Sequence, residues 1–147
     1  MFVVDTNVLV YGADADSPYH GRCLERLTNW RRQAPAWYIT WGIAYEFLRI
    51  TTHPRVMRKP WDLRRAWQFV TALLASPGLG ILIPTDRHAS VTTRVFSEVP
   101  HISGNLVHDA QIAILMREHG IRQIYTRDTD FHQFPFLEAL DPMNLQI

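Results

Sequence analysis

Short runs of apolar residues alternate along this chain with longer stretches in which apolar positions recur every three or four residues. The first pattern suits strands buried on both faces, and the second suits helices with one buried stripe. Phe2 to Asp5 reads as a short buried strand. Ser17-Pro18 predicts a helix start, with serine as cap and proline at the first helical position. That helix turns Leu24, Leu27 and Trp30 inward and Arg22, Arg26, Arg31 and Arg32 toward water. Trp37 to Thr40 reads as a strand, and Thr40 caps a helix carrying Ile43, Ala44, Phe47, Leu48 and Ile50. Thr52-His53-Pro54-Arg55 breaks that helix. Lys59-Pro60 precedes a helix from about Trp61 to Ala75, with Leu63, Ala66, Trp67, Val70, Leu73 and Leu74 on its apolar side. Leu79 to Ile83 predicts a strand, Pro84-Thr85-Asp86 a turn and helix cap, and a helix follows through Val91 and Val95. Ser103-Gly104-Asn105 opens a helix that stops at Gly120. Gln123 to Thr126 reads as a strand, and Asn144 to Ile147 as a last edge strand.

This alternation implies an α/β fold with a parallel sheet covered on both faces. At 147 residues, 47% hydrophobic and 20% charged, the chain suits one globular domain with a real core. It contains no uninterrupted apolar run of about 18 residues, the length that reads as a membrane-spanning helix. It starts on a strand rather than a charged leader, and Cys23 is its one cysteine, so the expected setting is the cytoplasm, without secretion or disulfides. The net charge of +1 argues against a long nucleic-acid-coating surface. Of fifteen basic residues only Lys59 is lysine. Arginine's planar fork suits phosphate, but a GC-rich coding sequence is the simpler explanation of the bias, and the two are compatible.

Most of the fourteen acids have an ordinary explanation. Glu25, Glu98, Glu118 and Glu138 are expected on wet helix faces or ends, Asp62 and Asp86 at caps, and Asp14 and Asp16 in a polar loop. Four stand apart. Asp5 follows a buried strand directly, and Glu46 sits inside the apolar stretch Ile43 to Leu48. Asp109 begins an apolar helix, and Asp128 comes just after the strand ending at Thr126. Ligands of open parallel sheets bind beyond the carboxyl ends of the strands, where Asp5 and Asp128 fall; the early turns of following helices open to the same edge. Carboxylates gathered there repel one another and raise each other's pKa unless a divalent cation neutralises them. Mg²⁺ and Mn²⁺ take such oxygen ligands, polarise a phosphoryl oxygen and activate water, which is the equipment for phosphodiester hydrolysis. Singly, each acid is equally well explained as a cap or an ion pair with a nearby arginine.

The opening Val3-Val4-Asp5-Thr6-Asn7-Val8-Leu9 resembles the start of a PIN domain. The resemblance continues through Glu46, Val107-His108-Asp109-Ala110-Gln111-Ile112-Ala113 and Tyr125-Thr126-Arg127-Asp128-Thr129-Asp130-Phe131, in that order, over essentially the whole chain. More narrowly the sequence is similar to the VapC toxins of VapBC toxin–antitoxin pairs, and Thr51-Thr52-His53-Pro54-Arg55-Val56 resembles a subset of them. The resemblance implies a three-layer α/β/α fold around a parallel sheet of four or five strands. It also implies Mg²⁺- or Mn²⁺-dependent endoribonuclease activity on RNA such as tRNA or rRNA, a homodimer, and inhibition by a VapB-like antitoxin. By position it makes Asp5, Glu46, Asp109 and Asp128 the acidic site, with Asp5, Asp109 and Asp128 toward the metal and Glu46 on the attacking water. Asn7 would orient Asp5, and Thr126 is the hydroxyl residue before the last acid. Asp130 is either an outer metal contact or a turn residue, and Arg127 either a phosphate contact or a solvated loop charge. Gln111 is bulkier and more polar than the pattern expects.

Two other readings stay open. A phosphatase of the haloacid dehalogenase type also places an Asp after its first strand. It needs a second Asp two residues on, where Asn7 stands, and a lysine near the phosphate. A non-catalytic PIN-like RNA-binding or scaffold domain is the other, and such domains lose acids that are all present here. The seven histidines show no paired zinc spacing; His20 and Cys23 lack a second ligand pair. The five tryptophans are expected in the core and in a hydrophobic antitoxin-binding groove along the helices from Trp41 to Ala75.

Overall fold

A computed structural model describes residues 1–33 and 36–144. Phe2, Val3 and Val4 form β1 (Phe2–Val4), wholly buried, as an all-apolar strand between two helical layers must be. Four further strands lie parallel to it: β2 (Trp37–Thr40), β3 (Leu79–Leu82), β4 (Gln123–Tyr125) and β5 (Glu138–Leu140). The sheet order is β3-β2-β1-β4-β5. Six helices flank it: α1 (Thr6–Ala13), α2 (His20–Gln33), α3 (Trp41–Thr51), α4 (Leu63–Leu74), α5 (His88–Glu98) and α6 (Leu106–Glu118). This is the three-layer α/β/α arrangement with a five-stranded parallel sheet.

The order of the strands locates the ligand edge. From β1 the chain steps outward through β2 to β3, then returns to the other side of β1 as β4. Neighbouring strands whose connections leave in opposite directions open a crevice at their carboxyl ends. That crevice lies between β1 and β4, paired in register from Phe2–Gln123 to Val4–Tyr125. Asp5 ends β1 there, and the Asp5 N–H still donates to the Tyr125 carbonyl at 3.0 Å.

Several elements differ from the sequence reading. Helix α1 was not anticipated: no element was read over Thr6–Ala13, whose Val and Tyr residues carry no clear helix preference. The Asp5 carboxylate decides it by accepting the Thr6 N–H at 2.7 Å and capping the helix. Helix α2 starts at His20, after a turn in which the Ser17 hydroxyl accepts the Tyr19 N–H. Its core face is Cys23 and Leu27, while Leu24 is exposed. Helix α4 starts at Leu63 with Asp62 as cap, and Leu63 and Trp67 stand in solvent rather than in the core.

Asp86 caps nothing: α5 begins without a side-chain cap. The Thr85 N–H and hydroxyl instead donate to Glu118, which is buried and not on a wet face, and His88 Nδ1 lies 2.6 Å from the same carboxylate. Those hydrogen bonds hold Glu118 below its ordinary carboxylate range despite its burial. The last strand is Glu138–Leu140, paired with β4, so Glu138 belongs to an edge strand. An edge strand over Asn144 to Ile147 falls on residues 145–147, outside the described residues.

Candidate active site

Asp5 is buried and fully hydrogen-bonded. It is 6% exposed, and both its oxygens are engaged. Oδ1 takes the Thr6 N–H; Oδ2 takes the Thr126 hydroxyl at 2.7 Å and Asn7 Nδ2 at 3.1 Å. Thr126 follows β4, so one hydroxyl ties the ends of the two strands that flank the crevice. The same hydroxyl accepts the Asp128 N–H at 2.9 Å, while Asn7 Oδ1 accepts the Arg127 N–H at 3.2 Å. Asn7 and Thr126 therefore form the bracket that sets the residue 126–128 turn against Asp5. Asp128 in turn caps a short 3-10 turn over Thr129–Gln133 by accepting the Asp130 N–H at 2.9 Å.

Asp109 reaches the crevice from the first turn of α6, where the exposed N–H groups of a helix favour negative charge. Glu46 reaches it from α3, the helix that Thr40 caps at the end of β2. Asp5, Glu46, Asp109 and Asp128 all line one cleft of about 690 Å³. Residues 104 positions apart in the chain thus share a wall because both start or follow an element at the same sheet edge. Asp130 is in the turn and near the cluster at once. One oxygen each from Asp109, Asp128 and Asp130 lies within 4.8 Å of the others, so these three could hold one ion.

Electrostatics follow from that crowding. Burial pushes the Asp5 carboxyl up to about 6, against the pull of the Thr126 and Thr6 hydrogen bonds, with the charges of Asp128 and Glu46 adding to the rise. Asp109 is pushed up to about 7, first by burial and then by Asp128, Asp5 and Asp130. Glu46 behaves oppositely. Arg49 grips it with two hydrogen bonds, of 3.0 and 2.6 Å, and holds it below its ordinary range. A donor set made wholly of crowded carboxylate oxygens, whose mutual repulsion a cation would relieve, fits a hard divalent cation.

Arg127 stands apart from the carboxylates. Its guanidinium lies 3.9 Å over the Tyr19 ring, with Nη2 3.9 Å from Asp141, and it is absent from the walls of the carboxylate cleft. The Tyr19 ring and the Asp141 carboxylate engage it outside that cleft. Arg49 and His108 line the cleft and had no site role in the sequence reading. Arg49 had a signal, being three residues after Glu46 and so on the same helix face. Gln111 lies at the cleft wall and is exposed, which accommodates its size. His20 Nδ1 pairs with the Tyr11 carbonyl and Cys23 is in the core, so neither is poised as a metal ligand.

A parallel sheet with a carboxylate-lined cleft at its switch point defines a class: α/β proteins whose acidic crevice suits a divalent cation. Residues 2–137 match the PIN domain model. Over 150 residues the chain is 33% identical to ribonuclease VapC43 of Mycobacterium tuberculosis, covering 99% of this chain and 98% of that one. Two solved structures share the fold. VapBC2 from Rickettsia felis, bound to a DNA fragment from its promoter, has a TM-score of 0.68 at 15% identity, covering 95% and 96% of the two chains. The Mycobacterium tuberculosis VapC20, a sarcin-ricin loop cleaving toxin, has a TM-score of 0.61 at 18% identity, covering 90% and 93%. The chain belongs to the PIN-domain family, among the VapC ribonucleases.

Proposed function

We propose that residues 1–147 act as a single PIN domain, a Mg²⁺- or Mn²⁺-dependent endoribonuclease that is the toxin of a type II toxin–antitoxin pair. The observation that carries this is the meeting of Asp5, Glu46, Asp109 and Asp128 on one cleft at the switch point of the sheet. Asp109 and Asp128, with Asp130 beside them, are the residues that would hold the ion; Asp5 completes the negative field from below. Such an ion, when bound, supplies Lewis-acid polarisation of the phosphoryl group and lowers the pKa of water. The chain's own groups do the rest. Asn7, Thr126 and the Thr6 N–H keep the Asp5 carboxylate in one orientation, and preorganised groups of this kind do not have to reorder during the reaction. Glu46 orients the attacking water and takes its proton. The water oxygen bonds to phosphorus, one bridging P–O bond breaks, and the departing oxygen takes up a proton.

The substrate is RNA, in line with the names of the relatives, and a structured RNA such as tRNA or rRNA suits the sarcin-ricin loop cleavage of one fold neighbour. A VapB-like antitoxin docks along α3 and α4, where Trp41, Leu63 and Trp67 are 42%, 62% and 42% exposed. The protein works as a homodimer in the cytoplasm. Among the described residues, no helix is long and apolar enough to cross a membrane.

The test is RNA cleavage with Mn²⁺ by the wild type and by Asp109→Asn, each checked for folding by its thermal melt. Asp109→Asn is expected to lose at least about 100-fold in rate while staying folded. Full activity in that variant overturns the assignment. Hydrolysis of p-nitrophenyl phosphate without RNA cleavage would favour the phosphatase, and no activity with no Mn²⁺-induced thermal shift would favour the scaffold.

A further inference from the structure

The net charge of +1 hides a strong asymmetry. Residues 49–65 carry six of the fifteen cations, Arg49, Arg55, Arg58, Lys59, Arg64 and Arg65, and one of the fourteen acids, Asp62, a local charge of +5. The other residues carry nine cations against thirteen acids, a charge of −4. This segment touches the carboxylate cleft directly, since Arg49, Ile50 and Val56 all line it.

The cations of the segment are free to meet a ligand. Among the described residues, Arg55, Arg58, Lys59 and Arg64 are exposed and none forms an ion pair. Elsewhere several arginines are engaged, Arg22 with Glu25, Arg117 with Glu98, Arg26 with the Pro142 carbonyl and Arg31 with the Ser76 hydroxyl, while the exposed Arg32, Arg94 and Arg122 are scattered over three separate elements or loops. The backbone beneath the free cations is pinned. Met57 is buried, its N–H and that of Val56 donate to the His53 carbonyl, and the Trp61 N–H donates to Thr51 at 2.8 Å. Arg65 lies 4.1 Å over the Trp61 ring. Ordered, unneutralised cations in a row are the footprint of a polyanion. On the cleft wall beside them stands Tyr45, 67% exposed, next to Trp41 at 6.4 Å between rings. An exposed aromatic face offers stacking to an unpaired base, which a duplex does not present.

We propose that the segment from Arg49 to Arg65 is the RNA-binding rim of this chain: Arg55, Arg58 and Lys59 track the backbone of a single-stranded stretch, Tyr45 stacks on one of its bases, and Arg49 receives the phosphate nearest the carboxylates. This rests on the nuclease reading above and names where its substrate lies. Arg49 spends two of its five N–H donors on Glu46 in the free protein, at an exposed site where such a pair is worth little. A phosphate entering the cleft takes those donors, and Glu46 is released toward the water.

The experiment measures binding of a labelled, mixed-sequence single-stranded RNA oligonucleotide to the full chain carrying Asp109→Asn, in chelator, over a salt series. In that background Arg55→Ala/Arg58→Ala/Lys59→Ala is expected to weaken binding at least about tenfold. It should also lower the slope of log affinity against log salt by about 2, at roughly 0.7 per phosphate contact on a single strand. Tyr45→Ala is expected to weaken binding about tenfold with no change of slope. Arg94→Ala/Arg122→Ala, which removes exposed charge outside the segment, should change either quantity little. Unchanged affinity and slope in the triple variant overturn the rim, as does an equal loss in the Arg94/Arg122 control or equal competition by an RNA duplex. So does a triple variant that binds RNA normally but loses an acidic peptide. Wild-type cleavage with Mn²⁺ is scored separately: if it persists while the triple variant binds normally, the rim alone fails; if the wild type neither binds nor cuts RNA, both readings fail.

Discussion

At the scale of single residues, Thr126 is the most economical part of the site. Its hydroxyl makes one donation, to Asp5, and two acceptances, from Asn7 and from the Asp128 N–H, which fills its capacity. Thr126→Val keeps the shape and removes all three, leaving buried polar groups short of partners, a loss of about 1–3 kcal/mol. The Thr126 hydrogen bond also opposes the rise in the Asp5 pKa, so the variant should push that carboxyl higher still. The acid limb of the pH–rate profile is then expected to move to higher pH, and Thr126→Ser to restore it. A lower melting point with an unmoved acid limb would assign Thr126 to packing alone. Sequence reading found this residue and Asn7 only through the spacing of a family motif. The hydrogen bonds that join residues 5, 7 and 126 depend on strand pairing that no local window contains. For Arg127 adjacency to Asp128 in sequence could not show that its side chain would lie over Tyr19, since proximity in the chain does not fix which side of a turn a long side chain takes.

Helices and strands set these residues in place, and the closest fit is between α1 and α2. A Cβ built on Gly12 would come within 2.4 Å of Leu27 Cδ1, a side chain only 2% exposed. Alanine at that position gains about 1 kcal/mol of helix propensity but forces Leu27 from a packed slot, a strain of typically 1–3 kcal/mol. Gly12→Ala is expected to destabilise by up to about 2 kcal/mol in denaturant unfolding. Combined with Leu27→Ala it should cost less than the two singles together, since the first clash disappears with the side chain it strikes. Strict additivity would show that α1 approaches α2 elsewhere. The same helix explains what was legible. Apolar periodicity marked α2, α3 and α4, Thr40 and Asp62 marked the caps of α3 and α4, and α6 was legible from its apolar run between Ser103-Gly104-Asn105 and Gly120. α1 hid behind β-favouring residues, since its stability comes from the Asp5 cap and packing on α2 and α3, not from propensity. β5 is three residues long at an edge, with Glu138 exposed, too short to show any period.

For the whole molecule, the cluster that serves function is a burden on the metal-free fold. An unfolded chain releases the Asp5 and Asp109 protons near the ordinary 3.8, whereas the folded chain holds them to about 6 and about 7. Between those values the folded state binds more protons than the unfolded, so stability falls as pH rises, and below about 4 the penalty vanishes. Asp5, being deeply buried, contributes a loss on the order of 3 kcal/mol by the time pH passes 7. Glu46 and Glu118 work in the other direction. Their folded pKa values lie below 4.5, so their stabilisation is present above that value and fades as pH falls. The metal-free protein should therefore lose stability steadily from pH 5 to pH 7. A divalent cation binds the deprotonated cluster and competes with its protons, so added Mn²⁺ should raise the melting temperature strongly at pH 7 and weakly at pH 5. Thermal melts in chelator and in Mn²⁺ across that range measure both effects, and Asp109→Asn should flatten the two curves together. A chelator profile that climbs from pH 5 to pH 7, or an equal Mn²⁺ shift at both, would mean that the carboxylates are neutralised within the protein by something other than protons, and the metal-binding role of the cleft would fall with that result.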